Sequence, residues 1–402
     1  NARMSIPKRI WLSPPHMSEN EQQYIQDAFK SNWIAPTGPN IDAFESQISD
    51  FIGVQHVTAL TSGTSALHLA LVTLGVKEGD VVLCQDLTFA ASAFPIVYQG
   101  AEPIFIDSEL DTWNMNPALL RKALEDLQVQ GKTAAAIVVV HLYGMPAKMD
   151  EIMDLAAEFH VPIVEDAAEA IGSTHQGAKC GGIGTVGVLS FNGNKIITTS
   201  GGGAFLTRNK KLIDHARYLS TQSKGQTPYY HHLEIGFNYK MSNVLAGIGR
   251  GQMEILNERV EARRQVFNNY KKHLLGIEGL TFTEELKGSY SNRWLTTILI
   301  DPSLTGGVTN EEIRLKLETE NIESRPIWKP MHLQPIFSKY KTYTDGIAAF
   351  LFERGLCLPS GSAMTEDDVA RVCSIIKTLI SHKVGYVKNQ HVNTIMQKRS
   401  EE

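Results

Sequence analysis

The stretch Val161–Ser173, VPIVEDAAEAIGS, decides the fold. Its opening residues are apolar and rich in β-branched side chains, which reads as a short strand covered on both faces. The run stops at Glu165 and Asp166, and Glu169 follows after two alanines. In a parallel sheet the carboxyl ends of the strands open on the ligand crevice, so acids there are placed for chemistry. The plainer alternative is that they cap the next helix or begin a solvated loop.

From about Ser18 to Arg208, further short runs (HVTAL, VVLC, PIFID, AAAIVVVHLYG, VGVLSFN and GGAFLT) alternate with helical stretches. One of these, MDEIMDLAAEFH, places Met149, Ile152, Met153, Leu155 and Ala156 on a single apolar face. The alternation predicts an α/β domain over residues 11–257, with a mostly parallel sheet flanked by helices. A long helical segment from Ser242 to Leu275 leads into a smaller α+β domain, residues 258–382. There LTFTEE and SNRWLTTILID read as strands, and TNEE opens a helix with Thr309 and Glu312 as a capping box. Another helix opens at TEDD, from Thr365, and runs to about Leu379. Residues 383–402 form a polar tail without a readable signal.

The 402 residues are 43% hydrophobic and 20% charged, with a formal net charge of −5, an ordinary composition for a globular protein with a large core. Basic residues are dispersed, which leaves no footprint for nucleic acid or an anionic membrane and favours a small-molecule substrate. Cys84, Cys180, Cys357 and Cys373 lie far apart without a CxxC pair, so neither a zinc site nor a disulfide framework is expected. They read as reduced and cytoplasmic. The longest apolar run, Ala134–Val140, is far too short for membrane insertion, and no signal-peptide core is visible.

GIGTVG, Gly182–Gly187, matches a dinucleotide-binding fingerprint only as a string, because it precedes a strand instead of following one into a helix. A better anion site is TALTSGTSALHLALVTLG, where a strand ends near Leu60 and a helix begins at Thr64 or Ser65. The free N–H groups there, with the hydroxyls of Ser62, Thr64 and Ser65, suit a phosphate; simple N-capping is the plainer reading. Lys195 lies in a loop of small residues, SFNGNKIITTSGGGA, beyond another strand, where a solvated lysine is the ordinary expectation. Together, an anion-binding helix start, a carboxylate at a strand end and this lysine are the parts needed to hold pyridoxal phosphate. The lysine joins the aldehyde, the carboxylate keeps the ring nitrogen protonated and the helix takes the phosphate. Phe89, just after VVLC, offers a face for the ring or is ordinary core.

The motifs TSGTSAL, DLTFAAS, VEDAAEAIGS, SFNGNKIITTSGGGA and GFNYKMSNVLAGIG, in this order and spacing, resemble the DegT/DnrJ/StrS family over roughly Trp11 to Leu379. These are fold type I pyridoxal-phosphate aminotransferases of sugar nucleotides. The resemblance implies that Lys195 carries the cofactor and serves as base, that Asp166 pairs with the pyridine nitrogen and that Phe89 stacks on the ring. Ser62, Gly63, Thr64, Ser190 and Asn192 would complete the cofactor site, and Asn238 would reach the phosphate of a neighbouring subunit, giving a homodimer with shared active sites. Trp33, Arg325, Lys329 and His332 would meet the sugar nucleotide, with L-glutamate as amino donor.

Two departures stand out. Family members often read EDAAQA, with an amide near the cofactor's phenolic oxygen, where this chain has Glu169; they often read TTGEGG where it has TTSGGG. Both variants, with NGNK, look like the branch that aminates position 4 of UDP-linked 4-keto-6-deoxy-N-acetylhexosamines in bacterial polysaccharide pathways. A dehydrating branch has histidine in place of the lysine, so Lys195 points away from it. Amination at position 3, or a non-catalytic cofactor-binding regulator of the same fold, stay open as alternatives.

Overall fold

The computed structural model describes the backbone of residues 7–400 and the side chains of residues 7–386. In chain order the strands begin with β1 (His56–Leu60), β2 (Val81–Gln85), β3 (Glu102–Ile106), β4 (Ala136–Val140) and β5 (Ile163–Asp166). A small hairpin, β6 (Thr174–His175) and β7 (Ala178–Lys179), precedes β8 (Val186–Ser190) and β9 (Gly203–Thr207). The remainder are β10 (Leu280–Phe282), β11 (Ser289–Tyr290), β12 (Thr296–Ile300), β13 (Arg325–Pro326), β14 (Thr342–Tyr343) and β15 (Gly355–Leu358).

Eight of these form one sheet in the order β1-β9-β8-β5-β4-β2-β3-β14. Its central pairs are parallel, and only β9 runs against its neighbours β8 and β1. Consecutive residues of each strand face opposite layers, as strand geometry requires. Val138 and Val164 pack with the helices Gly63–Thr73 and Lys210–Ser220; Ile137, Val139 and Ile163 pack with the helices Pro117–Val129 and Met149–Glu158. The expected α/β architecture, a mostly parallel sheet between helices, is therefore present.

The C-terminal part builds a second sheet, β10-β12-β15-β13, packed on the helices Leu256–Leu274, Asn310–Thr319 and Glu366–Ser400 around Tyr270, Ile298, Leu317 and Val372. Thr309 and Glu312 make the capping box anticipated from TNEE. Chain order and lobe do not coincide throughout: β14 leaves the C-terminal part and pairs with β3, extending the large sheet by one edge strand.

Three elements differ from expectation. The AAAIVVVHLYG run ends as a strand at Val140, because the chain turns through Leu142–Gly144 with Tyr143 at φ 54°. The helical segment 242–275 is two helices, Asn243–Glu254 and Leu256–Leu274, broken at the non-helical Ile255 (φ −112°, ψ 8°). The last helix does not stop near Leu379 but continues to Ser400, so residues 383–400 of the expected polar tail belong to it, and residues 401–402 lie outside the described residues.

GIGTVG has a role unconnected with nucleotides. Glu165, fully buried, accepts the N–H groups of Gly181 (2.6 Å), Ile183 (2.8 Å) and Gly184 (2.8 Å), so the glycine loop wraps its carboxylate. His141 Nδ1 accepts the Ala147 N–H, which leaves its Nε2 to donate to Glu165 at 2.8 Å. Cys180 lies beside this pair, but the histidine and the carboxylate are already spent on fixing the loop.

Candidate active site

The helix Gly63–Thr73 begins one residue earlier than expected. Ser62 is its N-cap, in extended conformation, and its Oγ accepts the Ser65 N–H at 2.9 Å. The capping reading therefore holds for Ser62, yet it satisfies only one of the open donors of the first turn. Among the described residues, the N–H groups of Gly63 and Thr64 have no protein acceptor, and both residues line a cavity of about 430 Å³. Two close approaches shape this corner. A Cβ on Gly203 would lie 2.3 Å from the Ser62 carbonyl carbon, and one on Gly63 would lie 3.0 Å from the Ser190 Cβ.

The same cavity is lined by Phe89, Asp166, Glu169, Ser190, Asn192 and Lys195. Asp166, at the carboxyl end of β5, is buried; its Oδ2 accepts the Ser92 hydroxyl at 2.7 Å and its Oδ1 the Ala168 N–H at 3.1 Å. Burial raises its pKa, against the pull of those two donors and of Lys195. Glu169 Oε2 accepts the Tyr143 N–H, and burial pushes this carboxyl up to about 7. Lys195 is lowered, first by loss of solvent, with Glu169 and then Asp166 opposing.

Residues the sequence reading did not single out complete the site. Lys195 Nζ stands 4.2 Å from the centre of the Trp294 ring. That indole donates to the carbonyl of Asn194 at 2.8 Å, and Ser13 donates to the same oxygen at 2.6 Å. Behind them Arg263, 1% exposed, donates to Ser13 Oγ (3.0 Å) and to the Trp294 carbonyl (2.6 Å). Burial, with a smaller contribution from the neighbouring charge of Arg259, lowers this guanidinium to about 9. Trp328 forms a wall with Phe89 (ring centres 5.6 Å apart) and Tyr143 (5.0 Å). Ser92 stands within the DLTFAAS motif, whereas nothing local marks Trp294, Trp328 or Arg263.

A second cavity of about 830 Å³ adjoins the first, sharing Asn194 and Trp328, and is lined by Trp11, Glu323, Arg325, Lys329 and Phe352 among others. Arg325 is exposed and held by Glu323 at 3.0 Å. Lys329 is on the wall. The fold of one chain does not bring the other expected substrate residues to either cavity. His332 is engaged by buried Asp86, through its N–H (2.9 Å) and Nδ1 (2.6 Å), which raises its pKa. Trp33 is half exposed beyond the first helix, its carbonyl accepting Asn243 Nδ2 at 2.7 Å. Asn238 bridges to Thr221, away from both cavities.

The donor set fits pyridoxal phosphate: free helix-start N–H groups and hydroxyls for a phosphate, a buried carboxylate lacking a cation of its own for a protonated ring nitrogen, and a lysine for the aldehyde. Fold and site thus define a pyridoxal phosphate-dependent transaminase. Residues 15–377 match the DegT/DnrJ/EryC1/StrS aminotransferase family model, and the chain belongs to that family. EpsN of Bacillus subtilis (strain 168), named for a pyridoxal phosphate-dependent aminotransferase activity not yet established, is 50% identical over 373 residues, covering 92% of this chain and 95% of EpsN. GDP-perosamine synthase of Escherichia coli O157:H7 is 35% identical over 377 residues (94% and 100%). UDP-4-amino-4,6-dideoxy-N-acetyl-beta-L-altrosamine transaminase of Campylobacter jejuni subsp. jejuni serotype O:23/36 (strain 81-176) is 31% identical over 385 residues (94% and 99%). The crystal structure of a family member from Brucella abortus superposes with TM-score 0.83 at 29% identity, over 89% of this chain and 95% of that one. The protein is a pyridoxal phosphate-dependent sugar aminotransferase. Among the described residues, no helix is long and apolar enough to cross a membrane.

Proposed function

We propose that the enzyme moves an amino group from L-glutamate to the 4-keto position of a nucleotide-linked 4-keto-6-deoxy sugar, UDP-2-acetamido-2,6-dideoxy-4-ketohexose, for polysaccharide biosynthesis. The observation that carries this reading is the pair of adjoining cavities. The smaller holds Lys195, Asp166 and the helix start; the larger, bearing Arg325 and Lys329, has room for the rest of a nucleotide sugar. The Campylobacter relative, named for transamination of a UDP-linked 4-amino-4,6-dideoxy-N-acetyl sugar, supports the choice of sugar.

Bound pyridoxal phosphate supplies an electron sink for the carbon attached to the transferred nitrogen. On this reading Lys195 would hold the cofactor covalently, and its Nζ, once released, would be the base that takes up and returns a proton in the pocket. Asp166, positioned by Ser92 and Ala168, keeps the ring nitrogen protonated. Ser62, Gly63, Thr64 and Ser190 would receive the phosphate, and Asn192, Glu169 and Phe89, which line the same cavity, would complete the cofactor pocket. In a homodimer Asn238 would reach the phosphate of the neighbouring subunit. The division into a large lobe, residues 11–257, and a small lobe, 258–382, is part of the same reading.

The test supplies holoenzyme with ¹⁵N-labelled L-glutamate and either the UDP-linked or a GDP-linked 4-keto-6-deoxy sugar. Label at carbon 4 of the UDP sugar, absent with Lys195→Ala, is the expected result. Label on the GDP sugar alone would transfer the reading to that carrier, which the higher identity to GDP-perosamine synthase favours. Label on neither would sink the proposal.

A further inference from the structure

We infer that Trp328 is the platform on which the hexose ring of the nucleotide sugar lies, so that it selects the keto-sugar acceptor and is not needed for the amino donor. This rests on the reading of the two adjoining cavities as one substrate site. Asn194 and Trp328 line both cavities and so form the neck between them. Lys195, Asp166 and the helix start lie on one side of that neck, Arg325 and Lys329 on the other. A nucleotide sugar has its parts in the same order: the reacting carbon, the hexose ring, then the diphosphate. With the keto carbon beside Lys195 and the diphosphate against the two cations, the ring crosses the neck.

Both walls of the neck are held by the protein itself. The Asn194 carbonyl accepts the Ser13 hydroxyl at 2.6 Å and the Trp294 indole at 2.8 Å. The Trp328 backbone N–H donates to the Tyr143 hydroxyl at 3.0 Å, and its ring is wedged against Tyr143 (ring centres 5.0 Å apart), Phe89 (5.6 Å) and Trp294 (6.3 Å). Ile327, one residue earlier, is 1% exposed and points into the core, whereas Trp328 is only half buried and faces the cavities. Among the described residues its indole N–H has no acceptor. An indole thus presents one apolar face and one open donor at the neck. A 4-keto-6-deoxy hexose matches that pair, with C–H groups on its ring faces, a methyl group at carbon 6 and acceptor oxygens around its edge. L-Glutamate has no such ring to lay on the indole.

The test is the steady-state kinetics of the pyridoxal phosphate-loaded enzyme with L-glutamate and UDP-2-acetamido-2,6-dideoxy-4-ketohexose. In a two-stage transfer, kcat/KM for each substrate reports its own half-reaction. Trp328→Leu still fills space against Phe89 and Tyr143 but removes the ring and the N–H. It should lower kcat/KM for the keto sugar about tenfold or more, with KM rising, and leave kcat/KM for L-glutamate near the wild type. Trp328→Phe, which keeps a ring face without the donor, should fall between the two. Should the leucine variant fail to fold, Trp328→Met gives the same comparison. An unchanged value for the keto sugar, or an equal loss for both substrates, overturns the inference. Wild-type enzyme that releases 2-oxoglutarate from L-glutamate but does not aminate the UDP sugar would instead overturn the reading beneath it.

Discussion

Asp166 depends on Ser92 as much as on its own place at the end of β5. The serine hydroxyl, itself within 2.7 Å of Thr88 Oγ1, is one of two donors holding a buried carboxylate. Ser92→Ala should cost about 1.5–3 kcal/mol of that stabilisation, read as roughly ten- to hundredfold weaker retention of pyridoxal phosphate in an equilibrium titration. Unchanged retention would show that Ser92 is only packing. Glu169 yields a stability prediction with a definite sign. Its carboxyl lies at about 7 in the fold against an ordinary 4.5, so between those values the folded chain holds a proton the unfolded chain has lost. Stability from this group is complete below about pH 4.5 and is lost as the pH rises through 7. Urea unfolding of cofactor-free protein should therefore show a smaller loss between pH 5 and pH 7.5 in Glu169→Gln than in the wild type. At this scale the candidate residues were legible where chemistry announces itself: Asp166 ends an apolar strand, and Lys195 stands in a loop of small residues between two strands. Trp294 and Arg263 were not, because each looks like core until the fold brings it behind Asn194 and Lys195.

Elements were legible where local physics is decisive. The Thr309 box needs only its own four residues, and Thr309→Ala should lower stability by about 1 kcal/mol, a shift readable in the thermal midpoint. Strand boundaries that tertiary contacts set were not legible. Residues 291–294 looked like the start of β12, but Asn292 leaves the ladder to clamp two carbonyls of the Asp166 segment, with Arg293 at φ 51°. Likewise no glycine rule reveals why Gly203 follows the lysine loop. The structure supplies the reason, since β9 passes so close to the Ser62 turn that a side chain would enter it. Gly203→Ala should force that turn open, at a cost of about 1–3 kcal/mol in stability and with impaired phosphate binding. If its unfolding midpoint and cofactor affinity match the wild type, the close approach is not essential.

At the scale of the whole molecule, a second sheet in the C-terminal part was readable from the change in texture that follows the helical segment 242–275, while the return of β14 to the large sheet was not: two residues beside β3 carry no signal of their own. The shared active site is a prediction about two copies. Lys195→Ala and Asn238→Ala proteins, mixed and re-equilibrated, should regain roughly a quarter of wild-type activity, because mixed dimers rebuild one intact site. No recovery would place Asn238 outside the neighbour's site. The most direct test of the account as a whole is the visible absorbance of the pyridoxal phosphate-loaded enzyme before and after L-glutamate alone. Loss of the yellow band with release of 2-oxoglutarate is expected, and neither with Lys195→Ala; a band that persists in the wild type would rule out L-glutamate as the amino donor.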